Sequence, residues 1–314
     1  MRMIAFGPVP SRRLGCSLGI NNIPPKTCTY SCTYCQVGRT TRMQVERQPF
    51  YDPGEVLYAV QDKSSKAAKA GEPVDYLTFV ADGEPTLDTN LGREIALLKP
   101  LGIPIAVITN SSLAWREDVR EALLKADWVS LKVDAVEENT WRQIDRPHGM
   151  LRLAAVLDGV LEFGCDHAGT LATETMLVAD LNDDEKHLGQ VADFLARLQP
   201  DIAYLSIPTR PPAEAWVQPP DEETLNRAYQ VLSEQVERVE TLLGYEGDAF
   251  AFTGNVEEDL LSITAVHPMR EDAVDAFLVR AGAGWPTVRR LIERGQLVET
   301  VYKGRRYYGR KVGR

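Results

Sequence analysis

Cys28, Cys32 and Cys35 form a C-x₃-C-x₂-C array inside KTCTYSCTYCQVGRT, Lys26 to Thr40. Three thiols this close together, in a loop of Thr, Ser and Tyr, are poorly placed for core packing. They are well placed to converge on one inorganic centre. Iron–sulfur clusters are ordinarily held by four cysteines, so three thiolates on a cubic four-iron cluster leave one iron free to take a small-molecule chelate. The competing readings are a structural zinc site and a chance run of free cysteines. Zinc sites usually draw four N/S ligands from two paired knuckles, and no second pair follows here. Five cysteines in 314 residues, with no sign of secretion, argue for a reducing compartment rather than disulfides.

Other residues with chemistry to offer fall at the ends of apolar segments. Gly83-Glu84-Pro85 follows VDYLTFVAD; a glycine there lets the backbone approach a ligand closely, and the carboxylate can accept from an ammonium group. Asn110 and Ser111 close the next strand and offer polar groups to a ligand. Ser130, Lys132 and Asp134 share one parity and so face one side; the plainer reading is a Lys–Asp pair satisfied internally. Glu174 is one carboxylate on a row with Ala172 and Met176, while Thr173 and Thr175 point the other way; parity alone leaves open which row faces inward. Thr209-Arg210, with Glu214, closes a sixth strand, and Arg146-Pro147-His148 sits in a loop. Arg146, His148 and Arg210 together would line a pocket for a carboxylate or phosphate, although each suits a surface ion pair equally well. Lys132, Glu174 and Arg210 are the candidate catalytic residues.

The cysteine array, with Tyr34 just before its last member, resembles the signature loop of the radical S-adenosylmethionine (SAM) superfamily. The resemblance implies a [4Fe–4S] cluster on Cys28, Cys32 and Cys35, with SAM chelating the fourth iron and an electron donor such as flavodoxin or ferredoxin. It implies reductive cleavage of SAM to a 5′-deoxyadenosyl radical that abstracts hydrogen from a substrate. Asp82-Gly83-Glu84 is similar to the family's Gly-Gly-Glu motif for the amino group of SAM, with Asp in place of the first Gly. Tyr34 is then expected near the adenine, Asn110 and Ser111 at the ribose hydroxyls, and Ser130 and Lys132 at the ribose or carboxylate. GPVPSRRLGCSLGINNIPPKTCTYSC and TRPPAE resemble a subgroup that includes tRNA wyosine-type synthases, over about residues 7–255. The extra N-terminal cysteines of that synthase are not found.

These residues need a scaffold that brings strand ends together. Strand and helix signals alternate after the cysteine loop, which argues for βα units and a parallel sheet. Strands are expected near Leu14–Ile20 and in VDYLTFVAD, IPIAVITN, DWVSLKVDA, TLATETMLV and IAYLSIP. Helices are expected near Pro53–Ala70, Leu91–Leu101, Arg116–Ala126, Asp184–Leu198 and Glu222–Leu243. The fold class is α/β, an open partial (β/α)₆ TIM-like barrel (also the fold the resemblance implies), with a closed eight-unit barrel as the alternative. Cys16 reads as a packed apolar residue in the first strand.

A change of pattern near Tyr245–Gly254 sets the expected domains at 1–250 and 256–314. VEEDLLSITAVHP, REDAVDAFLVRAG and GWPTVRRLIERGQL read as three helices, followed by a ribbon turning at Lys303-Gly304. That is the layout of a winged helix-turn-helix. The net charge of −10 argues against nucleic-acid binding over the whole surface, but 9 basic residues face 2 acidic ones between Arg289 and Arg314. Nucleic-acid contact through Arg289, Arg290 and Arg294 competes with a docking or dimerisation role. No apolar run reaches the roughly 18 residues of a membrane span, no signal peptide is evident, and the expected location is cytoplasmic. The alternatives kept are an RNA-modifying enzyme and an iron–sulfur transcriptional sensor.

Overall fold

Ala5–Ser11 (β1) and Gly15–Ile20 (β2) open the chain as an antiparallel pair in the computed structural model, which describes residues 3–243 and 250–311. The cysteine loop follows β2 and carries a short parallel ladder of its own, β3 (Thr27–Cys28) and β4 (Arg42–Met43). Next come α1 (Pro53–Lys69), β5 (Tyr76–Phe79), α2 (Leu91–Leu98), β6 (Ile105–Thr109), α3 (Glu117–Leu123) and β7 (Trp128–Lys132). Two helices, α4 (Glu138–Ile144) and α5 (Leu153–Asp166), precede β8 (Thr170–Met176); α6 (Glu185–Leu198), β9 (Ile202–Ser206), α7 (Glu222–Ser233) and β10 (Val239–Leu242) complete the alternation. The sheet runs β1-β2-β5-β6-β7-β8-β9-β10, with every pair after β1-β2 parallel. It is an open, curled half-barrel.

Both faces of these strands are covered, which is why they read as short apolar runs rather than alternating ones. Leu77, Val107, Val129, Leu171 and Leu205 face the helices and join one large core. Ala106, Trp128, Ala172, Ile202 and Tyr204 fill the inside of the barrel. That settles the parity on β8: Ala172, Glu174 and Met176 point inward, and Thr173 and Thr175 outward. Helix starts follow local chemistry. Asp52 accepts from Gly54 N at 2.8 Å ahead of α1, and Asp221 caps α7 in the same way.

The six expected strands are present, and two more extend the sheet. β1 tolerates Pro8 and Pro10 because it is an edge strand. The helix expected to reach Leu243 stops at Ser233, and Val239 to Leu242 instead pair with Ala203 to Ser206 of β9. The expected boundary near Tyr245–Gly254 falls largely on 244–249, outside the described residues.

The C-terminal elements are α8 (Val256–Val266), β11 (Met269–Arg270), α9 (Glu271–Arg280), α10 (Trp285–Glu293), β12 (Leu297–Tyr302) and β13 (Arg305–Arg310). The last two strands pair around Lys303 and Gly304, both with positive φ (48° and 72°), as a tight two-residue hairpin requires. Leu260, Ile263, Phe277, Val288 and Leu291 form a core that also takes in Phe6 and Val9 of β1. Lys63 of α1 and Asp259 of α8 add a buried ion pair at 2.6 Å.

Candidate functional site

The cysteine loop is held from two sides. On one side it meets the segment after β5. Lys26 N donates to Asp82 O at 2.7 Å, and Glu84 N to Thr27 O at 3.1 Å. Gly83 passes so close that a Cβ there would lie 1.8 Å from Thr27 O, so only glycine fits without moving backbone. On the other side Thr33 N donates to Ile144 O, Ser31 N to Asp145 O and His148 N to Thr29 O. Arg39 (2.8 Å) and Arg146 (2.5 Å) both pair with Glu214, which ties the loop to the proline-rich segment after β9. These two guanidiniums hold the Glu214 carboxyl below its ordinary range.

Between the loop and the C-terminal strand ends lies a cavity of about 300 Å³ whose wall includes all three thiols. Burial pushes the Cys28 thiol up to about 12, and Cys32 and Cys35 are raised as well, by burial first. As a thiol, Cys32 donates from Sγ to Asp145 Oδ1 at 3.3 Å. Metal binding would displace those protons. Among the described residues no three His, Cys, Asp or Glu side chains are drawn around a single-ion point. The three thiols share one wall of the cavity, a donor set suited to a cluster that offers each sulfur its own iron.

Glu84 also lines the cavity and is 1% exposed. Its Oε1 accepts from Thr86 N (2.9 Å), Thr86 Oγ1 (2.6 Å) and Thr109 Oγ1 (2.6 Å), and its Oε2 from Asn110 N (2.8 Å). Burial raises its pKa, and these four donors pull it back. Asn110 Nδ2 bonds Thr29 Oγ1 at 2.8 Å and stands 3.5 Å from Cys28 Sγ, so one side chain bridges β6 and the cysteine loop.

Across the cavity, Lys132 Nζ pairs with Glu174 Oε1 at 2.8 Å, Arg13 pairs with the other carboxylate oxygen, and Ser206 Oγ donates at 2.9 Å. The two cations and the hydroxyl outweigh the cost of burial and hold Glu174 far below its ordinary range. Lys132 Nζ lies 4.9 Å from the centre of the Tyr34 ring, and the Tyr34 hydroxyl bonds Asp134. Arg210 reaches Gln36 Oε1 at 2.7 Å and the His267 ring at 2.9 Å.

Tyr34, Gly83, Glu84, Asn110, Lys132, Glu174 and Arg210 are thus brought together with the cysteines. Pro85, Ser111 and Ser130 are buried outside the lining; Pro85 begins a 3₁₀ turn, and Ser111 takes a positive φ of 66°. The expected cationic trio does not assemble. Arg146 and His148 buttress the cysteine loop from outside, and the basic wall is made by Arg13, Lys26, Lys132 and Arg210 together with Arg12. Arg13 and Lys26 were missed by sequence reasoning, and Asp82 was read only as a departure from the Gly-Gly-Glu motif. Only their closeness to the cysteine loop and to Gly83-Glu84 pointed to them.

An open parallel half-barrel with thiols, a carboxylate and an amide converging at its strand ends is the architecture of an enzyme that works at the barrel mouth. Residues 22–195 match the family model described as Radical SAM superfamily, and the chain belongs to that family of enzymes. It is 45% identical over 311 residues to a UPF0026 protein of Methanocaldococcus jannaschii, covering 98% of this chain and 96% of the relative. In fold it is similar to TYW1 with a lysine-pyruvate adduct bound (TM-score 0.53, 16% identity, 70% of this chain and 74% of that one). It is similar also to Streptococcus suis SuiB bound to S-adenosylmethionine (TM-score 0.53, 12% identity, 72% and 51%). Among the described residues no helix is long and apolar enough to cross a membrane.

Proposed function

We propose that the protein holds a [4Fe–4S] cluster on Cys28, Cys32 and Cys35 and binds SAM between that cluster and the ends of β5 to β8. The observation that carries this reading is the opening of all three thiols onto the same cavity as Glu84 and Asn110. When bound, the reduced cluster and SAM supply a 5′-deoxyadenosyl radical for hydrogen abstraction. The chain's own residues do the rest. Glu84 is oriented by four donors, three of them on Oε1, so Oε2 keeps capacity for the amino end of SAM. Asn110 fixes the rim beside Cys28. Lys132, Glu174 and Arg13 form a charged floor that positions the nucleoside or the substrate, and the buried walls keep water away from a reactive carbon centre. The working location is the cytoplasm, and the reductant is a flavodoxin or ferredoxin.

The C-terminal unit, with the element order of a winged helix, acts in this reading as part of the mouth rather than as a nucleic-acid reader. Val266 lines the cavity, and Gln36 Nε2 donates to Val266 O at 2.9 Å. Tyr302 and Tyr307 of the ribbon donate to the carbonyls of Pro208 and Thr209 at 3.2 and 3.1 Å. Of the basic residues that suggested a polyanion, Arg290 and Arg294 pair with Glu257, and Arg306 with Glu271 and Glu299. RNA modification of the wyosine type is the alternative reading, set aside because a net charge of −10 suits a polyanion poorly.

The test is anaerobic reconstitution with iron and sulfide, reduction in the presence of SAM, and chromatography for 5′-deoxyadenosine. Wild type is expected to form it and Cys32→Ala to form none. Product from the variant, or none from wild type with a full iron load, refutes the reading.

A further inference from the structure

One carboxylate in the cavity has no role in the arrangement described above. Asp82 is 2% exposed and lines the cavity beside Gly83 and Glu84. Its backbone is pinned at both ends, N–H to Asn21 Oδ1 at 2.9 Å and C=O from Lys26 N at 2.7 Å. The backbone is therefore not free to turn and carry the carboxylate toward solvent. Its Oδ1 is buried and accepts from no group. The other two acids of the lining are satisfied: Glu84 by four neutral donors, Glu174 by two cations and a hydroxyl. A buried carboxylate oxygen without a donor costs free energy that a fold ordinarily avoids. Burial pushes this carboxyl up to about 7 against the pull of Lys26 and Arg310. No donor of the chain reaches Oδ1.

We propose that Asp82 is a ligand-binding residue whose carboxylate accepts N–H hydrogen bonds from a primary amino group, that of the methionine end of SAM, beside Glu84. The inference rests on the cofactor reading above. It departs from the Gly-Gly-Glu pattern, where the first position has no side chain to offer. The ligand must bring a donor, because the oxygen has none. Asp82 and Glu84 flank Gly83, whose bare Cα lets this segment pass against the cysteine loop at Thr27. Asp82 and Glu84 both line the cavity, and carboxylates there favour an amino group over an anion or an apolar surface.

The experiment uses full-length protein reconstituted without oxygen, as wild type, Asp82→Asn and Asp82→Gly. Asp82→Gly restores the family's residue and keeps both backbone bonds. Iron and sulfide content are measured first. Dissociation constants are then taken by equilibrium dialysis for SAM and for its desamino analogue, in which hydrogen replaces the α-amino group. Loss of a charge-assisted hydrogen bond should weaken SAM binding about tenfold or more in both variants. The analogue should bind all three proteins alike. Equal SAM affinity in wild type and variants, or equal weakening of SAM and analogue, overturns the proposal. So does loss of iron from both variants, which would make Asp82 part of the loop's framework. Failure of wild type itself to bind SAM would instead refute the cofactor assignment.

Discussion

The contact that fastens the C-terminal unit to the barrel can be tested quantitatively through Lys63 and Asp259. The pair is buried on both sides, at 2.6 Å. Lys63 Nζ also donates to Thr253 Oγ1 at 2.9 Å, and Asp259 accepts from Thr253 N and Oγ1, each at 2.7 Å. Asp259→Leu leaves an ammonium buried with only a hydroxyl as acceptor, which should cost about 3–5 kcal/mol. Lys63→Met keeps the stem and leaves a carboxylate with two donors, so the loss should be smaller, about 2 kcal/mol. In the double variant no charge remains uncompensated, and only the Thr253 donors lose their acceptor. Its loss of stability should therefore be smaller than the sum of the two single losses by about 2 kcal/mol or more. Urea unfolding at pH 7, followed by tryptophan fluorescence and compared at constant slope, measures all four proteins. If the two single losses simply add, the pair is not acting as a buried ion pair and the reasoning fails.

Two further outcomes follow from local environments. Glu94 is fully buried beside Asp88, and burial together with that neighbour pushes its carboxyl up to about 9. A group whose folded pKa is raised binds its proton more tightly in the native state, so its contribution is complete below about 4.5 and is lost as pH rises toward 9. Glu94→Gln should raise the melting temperature at pH 8 and flatten its dependence on pH across that window; an unchanged profile would contradict the assignment. Gly83→Ala should prevent stable iron loading, because the new Cβ meets Thr27 O at 1.8 Å, whereas Gly189→Ala, with open space around it, should gain about 0.5–1 kcal/mol and load iron normally. Iron analysis and thermal melts on the two variants decide this.

The parallel strands were legible because each is a short apolar run bounded by turn residues, and the cysteine spacing named the loop. β1 was not, since Gly7, Pro8 and Pro10 read as punctuation; an edge position is what makes them tolerable. β10 was hidden by the helical pattern running on from α7, with no Gly or Pro to mark the break. The cavity's charged floor depends on tertiary distance. Arg13 and Glu174 are 161 positions apart, and no periodicity joins them. Arg146 and His148 illustrate the opposite error. Their residue types suit an anion, but the hydrogen bonds of Ile144, Asp145 and His148 place that loop behind the cysteines.

An unclosed sheet has two rims, and rims template the addition of foreign strands. The β10 rim is four residues long and carries Glu240 with its partner Arg238 at 2.6 Å. The β1 rim is interrupted by prolines and sealed where Ala251 N donates to Pro8 O at 3.2 Å, with Phe6 and Val9 covered by the helices that follow. A product truncated before Ala251 would strip that seal and bare both phenylalanine and valine, and its fate in solution would be self-association. The last fifth of the chain is thus a chaperone to the first strand, carried in the same molecule.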